Sequence, residues 1–418
     1  MRSLIATALL TGFDTEGIRA LRARAVRNAQ DSAGEVIVFV DRALLSGPGP
    51  TYVLDTLTRE QIPTSVHPVS GFPTIDAVLE DARLLRGFSA VLALGGGSVI
   101  DRAKLARAAA EGADLQAATS MAPGHAVLET ARSRLPLIAM PTTLGTGSER
   151  NSNAVLAAGD RRFLVSGSVL LPEAAVLEPA LTRSLSAAAV LSGVFEALAR
   201  TLEPYASPTT QAGADQLALA TAGRLAVLGD AVASGPSGPA AEETRLEIAR
   251  LSGLSHAPAM HAGRAAFAFP GWFLAHELAS VTGVSKVGCL AALLPAIDRR
   301  ARADARVWGA PRRRAAASMA VLSALGLPSG DESALAVLAQ RWSLVVPLGD
   351  IDVEALATRI LSAWGPPSPH LARVGRDELV AVLTEATDAT RAPIAPRAPI
   401  SPRAAEGSAT DGRGPRPS

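Results

Sequence analysis

Cysteine and lysine are nearly absent from this chain of 418 residues. The single cysteine, Cys289, excludes an intramolecular disulfide framework and any cysteine cluster able to hold zinc. An excess of one charge sign is missing too. With 40 Lys and Arg against 39 Asp and Glu, the net charge is +1, and nothing points to nucleic acid or an anionic membrane as the main partner. No apolar run approaches the ~20 residues needed to span a bilayer. The N-terminus, Arg2 followed by the stretch from Leu4 to Leu10, imitates a signal peptide but runs into Asp14 and Glu16 without a small-residue cleavage pattern, so a cytoplasmic location is expected. Lysine occurs only at Lys104 and Lys286, in a chain that otherwise writes positive charge as arginine. Those two positions invite specific roles, with chance survival as the plain alternative.

What is present supports two domains with sizeable cores, since 48% of the residues are hydrophobic. Val36-Ile37-Val38-Phe39-Val40 predicts a buried strand, Asp76 to Arg86 an amphipathic helix, Ala90 to Leu94 a second strand and Leu135 to Met140 a third. Strands alternating with helices predict a parallel sheet. Beyond about Leu185 strand signals vanish, and Leu185 to Leu202, Gln211 to Leu228, Glu242 to Leu254 and Trp272 to Val281 read as helices. The expected organisation is an α/β domain over 1–184, an all-α domain over 185–391 and a disordered tail over 392–418, which is rich in Pro, Arg, Gly and Ser. Ala233 to Ala240 reads as a surface loop.

Two loops carry the chemistry. Gly95-Gly96-Gly97-Ser98-Val99-Ile100-Asp101 follows a strand and opens a helix, where backbone amides and the helix N-terminus favour a pyrophosphate. The spacing is not that of the usual dinucleotide fingerprint, and a plain tight turn is the alternative. Pro141-Thr142-Thr143-Leu144-Gly145-Thr146-Gly147-Ser148-Glu149 follows another strand, with three threonine hydroxyls able to contact a ribose, an amide or a phosphate.

GGGSVID with Ala103-Lys104, then PTTLGTGSE, then the stretch from Phe163 to Pro179, resembles the iron-containing (group III) alcohol dehydrogenases over roughly Val36 to Pro295. The resemblance implies the dehydroquinate synthase-like fold, with a dinucleotide-binding α/β domain beside a helical one and an active site in the cleft between. It implies NAD as cofactor, with Gly95, Gly96, Gly97, Ser98, Asp101 and Lys104 around the pyrophosphate, and Thr142, Thr143 and Thr146 along the adenine and nicotinamide ends. Asp41, at the end of the first clear strand, matches the family's acidic residue on the adenine ribose, where a carboxylate can accept from both hydroxyls and would repel a 2′-phosphate, which favours NAD over NADP; an ordinary strand-end turn residue is the alternative.

The family's metal ligands are not retained. Glu196 stands at the Asp position and Arg200 at the His position four residues on; Trp272 replaces a third ligand, with His276 keeping the non-ligand histidine. The last ligand falls on Lys286, or on Val287 if the register shifts by one. Arg has no acceptor and Lys is normally a cation, so no metal is expected. His256 and His261, spaced by five, read as ordinary helix or cap residues. Arg200 and Lys286 could do part of the metal's work on an alkoxide-like oxygen or clamp a substrate carboxylate, Glu196 could set the pKa of either, and His276 could shuttle a proton. An inert Glu196–Arg200 helical pair is the alternative.

The functional expectation is an NAD-dependent, metal-independent dehydrogenase acting on a small-molecule or peptide hydroxy acid. The sequence is similar in this respect to dehydrogenases of peptide natural-product (RiPP) maturation, the daptide type in particular, which would act on a C-terminal threonine. A non-catalytic NAD-binding partner of a biosynthetic enzyme is the second reading. A homodimer or a partner enzyme is compatible with either. A cyclase of the dehydroquinate synthase kind would need a metal and a dense phosphate clamp that are not found.

Overall fold

In Val36–Asp41 the first five residues are all buried, which fits a central strand covered on both faces rather than an alternating half-exposed one. The structure is a computed structural model that describes residues 7–28, 34–129, 133–235, 240–265, 267–303 and 305–391. The first six residues, the end of the Ala233–Ala240 stretch before Ala240 and the tail from 392 lie outside these.

The α/β half contains strands β1 (Ala8–Thr11), β2 (Val36–Asp41), β3 (Thr64–Val69), β4 (Ala90–Gly95), β5 (His125–Val127), β6 (Leu137–Pro141), β7 (Asn153–Ala158), β8 (Arg161–Ser166) and β9 (Ala174–Leu177). Helices α1 (Ile18–Asn28), α2 (Pro48–Arg59), α3 (Ile75–Leu84), α4 (Gly97–Ala110) and α5 (Leu115–Met121) alternate with them. Six strands form a parallel sheet in the order β1-β9-β6-β4-β2-β3. Ile37, Phe39, Val91, Ala93, Leu137 and Ala139 face one apolar layer, and Val36, Val38, Leu92, Leu94, Ile138 and Met140 face the other. A period of two thus feeds two separate cores. Strand β3 contains Pro68, tolerated because β3 is an edge strand. A smaller sheet pairs β7 antiparallel and β5 parallel to β8.

After β9 the described chain is helical: α6 (Ala187–Tyr205), α7 (Ala212–Ser234), α8 (Glu242–Leu254), α9 (Pro270–Thr282), α10 (Lys286–Ala303), α11 (Ala305–Trp308), α12 (Pro311–Ala324), α13 (Ala334–Arg341), α14 (Val353–Trp364) and α15 (Arg376–Arg391). They share one core that includes Phe195, Phe273, Trp308 and Trp364. The start of the expected loop at Ala233 is helical through Ser234, because α7 runs further than its periodicity suggested. With 23 residues, and a mean hydropathy of 1.3 over an 18-residue window, α7 is the one described helix long and apolar enough to cross a membrane, contrary to the reading that no run comes close. Half of that window is buried within the fold, and its Asp215, Arg224 and Asp230 are in ion pairs, as befits a core helix.

Candidate active site

Strands β4 and β6 are neighbours and end together, Gly95 opposite Pro141, so the two loops predicted to hold a cofactor leave the sheet side by side at its carboxyl edge. That edge is where parallel α/β sheets bind ligands. Helix α4 starts with no side-chain cap, which leaves amides at its N-terminus open to an anion. Gly145, at φ +96, passes so near α6 that a Cβ would lie 2.4 Å from Gly193 Cα. Only glycine permits both the conformation and the approach.

A cleft of about 460 Å³ opens between the two halves. Asp41, Gly96, Gly97, Ser98, Asp101, Thr143 and Thr146 line it on the α/β side. The Oγ1 atoms of Thr142, Thr143 and Thr146 are buried without a hydrogen-bond partner among the described residues. Unpaired buried hydroxyls are costly, so those of Thr143 and Thr146 are placed for a ligand. Asp41 accepts from Ala43 N at 3.0 Å through Oδ1 alone. Asp101 is held by Ser148 Oγ and, at 2.9 Å, by Val155 N, while burial raises its pKa.

Three residues expected to touch the cofactor do not line the cleft: Gly95, Thr142 and Lys104. Gly95 sits inside the sheet edge against Val99, and Thr142 is covered. Lys104 is fully buried behind the threonine loop, where Nζ donates to Ser148 Oγ (3.0 Å), Asn151 Oδ1 (3.1 Å) and Asn153 O (2.8 Å). Burial lowers its pKa to about 8 against the opposing pull of Asp101 and Glu149. It is a strut of the loop rather than a phosphate ligand.

Across the cleft, α6 presents Glu196, Arg200 and Glu203 on one face, as positions i, i+4 and i+7 require. The Glu196–Arg200 helical pair, the plain alternative, does not form. Glu196 is ion-paired with Lys286, the first residue of α10. Arg200 instead donates to the carbonyls of Gly145 and Thr146 (2.9 Å to the latter), to Ser255 Oγ (3.2 Å) and to His256 Nε2. A guanidinium has five N–H donors, and these contacts leave little for a substrate. Nε2 of His256 meets both the Arg200 guanidinium and, at 3.1 Å, the Thr146 carbonyl; burial and Arg200 push its pKa well down. His256 therefore reaches the cleft, contrary to its reading as an ordinary cap residue, whereas His261 bonds Ser255 O outside the lining.

Trp272 stacks on His276, ring centroids 4.9 Å apart, and Lys286 Nζ lies 5.6 Å from the Trp272 ring centroid. His276 Nε2 donates to Arg162 O at 3.3 Å. Burial, then Lys286, Arg162 and Arg359, bring its pKa to about 4. It is neutral at pH 7, which removes it as a proton-donating acid there and leaves it a weak base. Glu203 is a residue the sequence reading missed. Its carboxylate accepts from Gly271 N (3.0 Å) at the start of α9, and burial pushes its pKa up to about 7. The i+7 spacing from Glu196 was the available signal. Phe72, Arg162 and Asn153 also line the cleft without any mark in sequence.

A divalent metal does not fit this donor set. The positions offer one carboxylate committed to a lysine, a guanidinium bonded to carbonyls, an indole and an ammonium. Among the described residues no group of three or more His, Cys, Asp or Glu side chains gathers to hold a metal ion.

A parallel sheet whose glycine and threonine loops open on a cleft shared with a helical half defines a two-domain α/β plus all-α nucleotide-cofactor fold. Residues 19–179 match the iron-containing alcohol dehydrogenase family. Over 250 residues the chain is 29% identical to EutG of Salmonella typhimurium, named a probable alcohol dehydrogenase; the match covers 55% of this chain and 61% of that one. It is 33% identical over 187 residues to long-chain-alcohol dehydrogenase 1 of Geobacillus thermodenitrificans, covering 44% of this chain and 46% of that one. The chain thus spans less than two thirds of the length of these curated relatives. Among solved structures, the NADH-dependent butanol dehydrogenase A of Thermotoga maritima superposes with a TM-score of 0.74 at 19% identity, over 91% of this chain and 96% of that one. A 1,3-propanediol oxidoreductase superposes with a TM-score of 0.73 at 21% identity, over 92% and 100%. The family match is confined to residues 19–179, and the likeness to the solved structures is one of fold over nine-tenths of the chain.

Proposed function

We propose that this protein is an NAD-dependent oxidoreductase that interconverts an alcohol and a carbonyl compound without a divalent metal, using Lys286 and Glu196 at the reacting oxygen. The observation that carries the reading is the Lys286–Glu196 pair in the cleft, formed by two residues that the sequence resemblance sets against the family's metal ligands. NAD, when bound, supplies the hydride acceptor. The amides at the start of α4 hold its pyrophosphate, and the Thr143 and Thr146 hydroxyls take its polar groups. Asp41 accepts from the adenine ribose and disfavours a 2′-phosphate.

Lys286 Nζ donates to the substrate oxygen as negative charge gathers there, a contact whose removal typically costs about a hundred- to thousand-fold in rate. The Glu196 carboxylate beside it takes the hydroxyl proton during oxidation. The Trp272 and His276 rings, with Phe267 and Phe269, exclude water from that end.

The substrate class we favour is a hydroxy acid, small or at the C-terminus of a peptide such as a maturing natural product with a terminal threonine. Arg162 supports it: the guanidinium lines the cleft, 4.0 Å from the Phe72 ring centroid, and has no carboxylate in ion-pair range among the described residues. A relative 37% identical over 135 residues is named 4-hydroxybutyrate dehydrogenase. The test is NAD reduction by the purified chain with a panel of 3- and 4-hydroxy acids and a threonine-terminated peptide, with and without EDTA, beside elemental analysis. Turnover that survives chelation, with no stoichiometric metal, is expected. Activity that needs added iron or zinc would overturn the metal-free reading, and NAD binding without any turnover would favour a non-catalytic partner role.

A further inference from the structure

Away from the reacting positions, a chain of side chains crosses from the helical half into the cleft wall. His370, between α14 and α15, meets His125 of β5 with His370 Nε2 2.9 Å from His125 Nδ1. His125 Nε2 is 2.8 Å from Ser166 Oγ at the end of β8, and Ser166 Oγ donates to Asn153 Oδ1 at 2.7 Å. Asn153, the first residue of β7, lines the cleft. Phe267 closes the histidine pair off from the cleft, edge-on to both rings at 4.9 and 5.1 Å. It does so at φ +58, a conformation a phenylalanine adopts only under constraint.

The protons in such a chain run one way or the other. Burial lowers the pKa of both histidines, to about 4 for His370, so each ring is neutral and carries one N–H. If the bonds run from Asn153 outward, His370 ends with a buried Nδ1–H that has no acceptor. If they run inward, His370 Nδ1 is a bare lone pair; in either order that atom is buried without a partner among the described residues, so the choice lies between an orphaned donor and an orphaned acceptor. An orphaned buried donor is rarer than an under-used acceptor. The inward order therefore wins: His370 Nε2–H to His125 Nδ1, His125 Nε2–H to Ser166, Ser166 O–H to Asn153 Oδ1. Asn153 Oδ1 is then occupied and its Nδ2 has no partner among the described residues. The backbone is pinned as well, with Lys104 Nζ donating to Asn153 O and Asn153 N donating to Asn151 Oδ1 at 2.9 Å.

We propose that His370, His125 and Ser166 form a positioning relay that fixes the Asn153 amide with its Nδ2 donor turned into the cleft, where it binds a carbonyl or carboxylate oxygen of the substrate. The inference rests on the reading of the cleft as an alcohol–carbonyl site and adds a recognition element to it. Histidines are the fixed links here, and none of the three acts on the reacting atoms.

The test uses the full chain with NADH and isobutyramide, an amide that presents a carbonyl oxygen and is not reduced. NADH affinity is measured first, isobutyramide binding is read through NADH fluorescence, and nitrogen-15 spectra of histidine-labelled protein report the tautomers. Nε2–H tautomers are expected at both His125 and His370. Ser166→Ala and Asn153→Asp should weaken isobutyramide at least tenfold while NADH affinity stays within about twofold. His370→Gln, which keeps a donor but loses the aromatic packing, should bind isobutyramide like the wild type; His370→Phe, which keeps the packing but loses the donor, should not. The reverse order for Gln and Phe, Nδ1–H tautomers, or a wild type that binds NADH but not isobutyramide would each overturn the relay. Failure to bind NADH would instead refute the cofactor reading, and the tautomers would still decide the direction of the chain.

Discussion

Lys286 and Glu196 meet as an ion pair inside the cleft, although α6 offers Glu196 an arginine one turn away. The reason lies in what Arg200 is doing. Its donors are drawn to the Gly145 and Thr146 carbonyls, so it belongs to the threonine loop, and the Glu196 carboxylate is left for the residue that begins α10. The Lys286 side chain retains 31% exposure and Glu196 10%, so the lysine is the reachable member of the pair. A ligand oxygen can approach it without breaking the fold.

Lys286→Met should accordingly lower turnover about a hundred- to thousand-fold, the usual loss for one charge-assisted contact to a developing oxyanion. NADH affinity should stay within about threefold, because the Lys286 ammonium is bonded to Glu196 and not to the glycine and threonine loops. Steady-state rates on the true substrate beside NADH titration check this. A variant that stays folded and fully active would end the idea that the lysine replaces a metal.

Arg200→Met should behave differently. It strips donors from two loop carbonyls and from His256, each an unsatisfied buried group worth about 1–3 kcal/mol. The expected outcome is a lower melting temperature and NADH binding weakened more than tenfold. Intact NADH binding with lost turnover would return Arg200 to the reacting oxygen.

The central strands were legible because residues buried on two faces write continuous apolar runs, as in β2, β4 and β6. The edge strands were not: β1 is short and β3 carries Pro68, which reads as a break in any strand that is not at an edge. Both cofactor-type loops could be read because each must follow a strand and spend glycines on close approach. Arg200 and Lys286 were both open as partners of Glu196, and the choice could not be read, since spacing along α6 favours Arg200 and only packing brings α10 to it. His256 was set aside on its distance from His261, a rule for one helix. It lies beyond the end of α8, held by the backbone of the threonine loop and Arg200. Asn153 and its histidines lie far apart in the chain and carry no local signal.

Glu203 makes stability depend on pH. Unfolded, it ionises near 4.5; folded, burial holds its proton to about 7. Between those values the folded state carries the extra proton, so raising the pH through the window destabilises the fold, with the full cost present above about 7. The size is on the order of 3 kcal/mol at about 1.4 kcal/mol per unit. Glu203→Gln keeps an acceptor for Gly271 N without the charge. Denaturant unfolding at pH 5 and pH 8 should show the wild type losing more stability than the variant over that interval. Equal pH slopes would mean that Glu203 is ionised throughout.

Asp41 sets the last expectation. Its Oδ1 is taken by Ala43 N, and the carboxylate lines the cleft at the end of β2, next to the edge strand. A ribose 2′-hydroxyl there can donate to it, whereas a 2′-phosphate would bring two like charges together. The wild type should therefore bind NADH more tightly than NADPH. Asp41→Gly removes both the hydrogen bond and the repulsion, so NADH should weaken while NADPH improves, narrowing the ratio by about tenfold, the equivalent of ~1.4 kcal/mol. Arg42 beside it, whose guanidinium now reaches only Pro68 O at 3.3 Å, becomes available to the phosphate in that variant. Asp41→Gly with Arg42→Ala should reverse that gain. Calorimetric titration of the three proteins with both nucleotides decides it: tighter NADPH binding by the wild type would remove Asp41 as the selector, and an unchanged ratio in Asp41→Gly would leave the carboxylate as no more than the cap of its own turn.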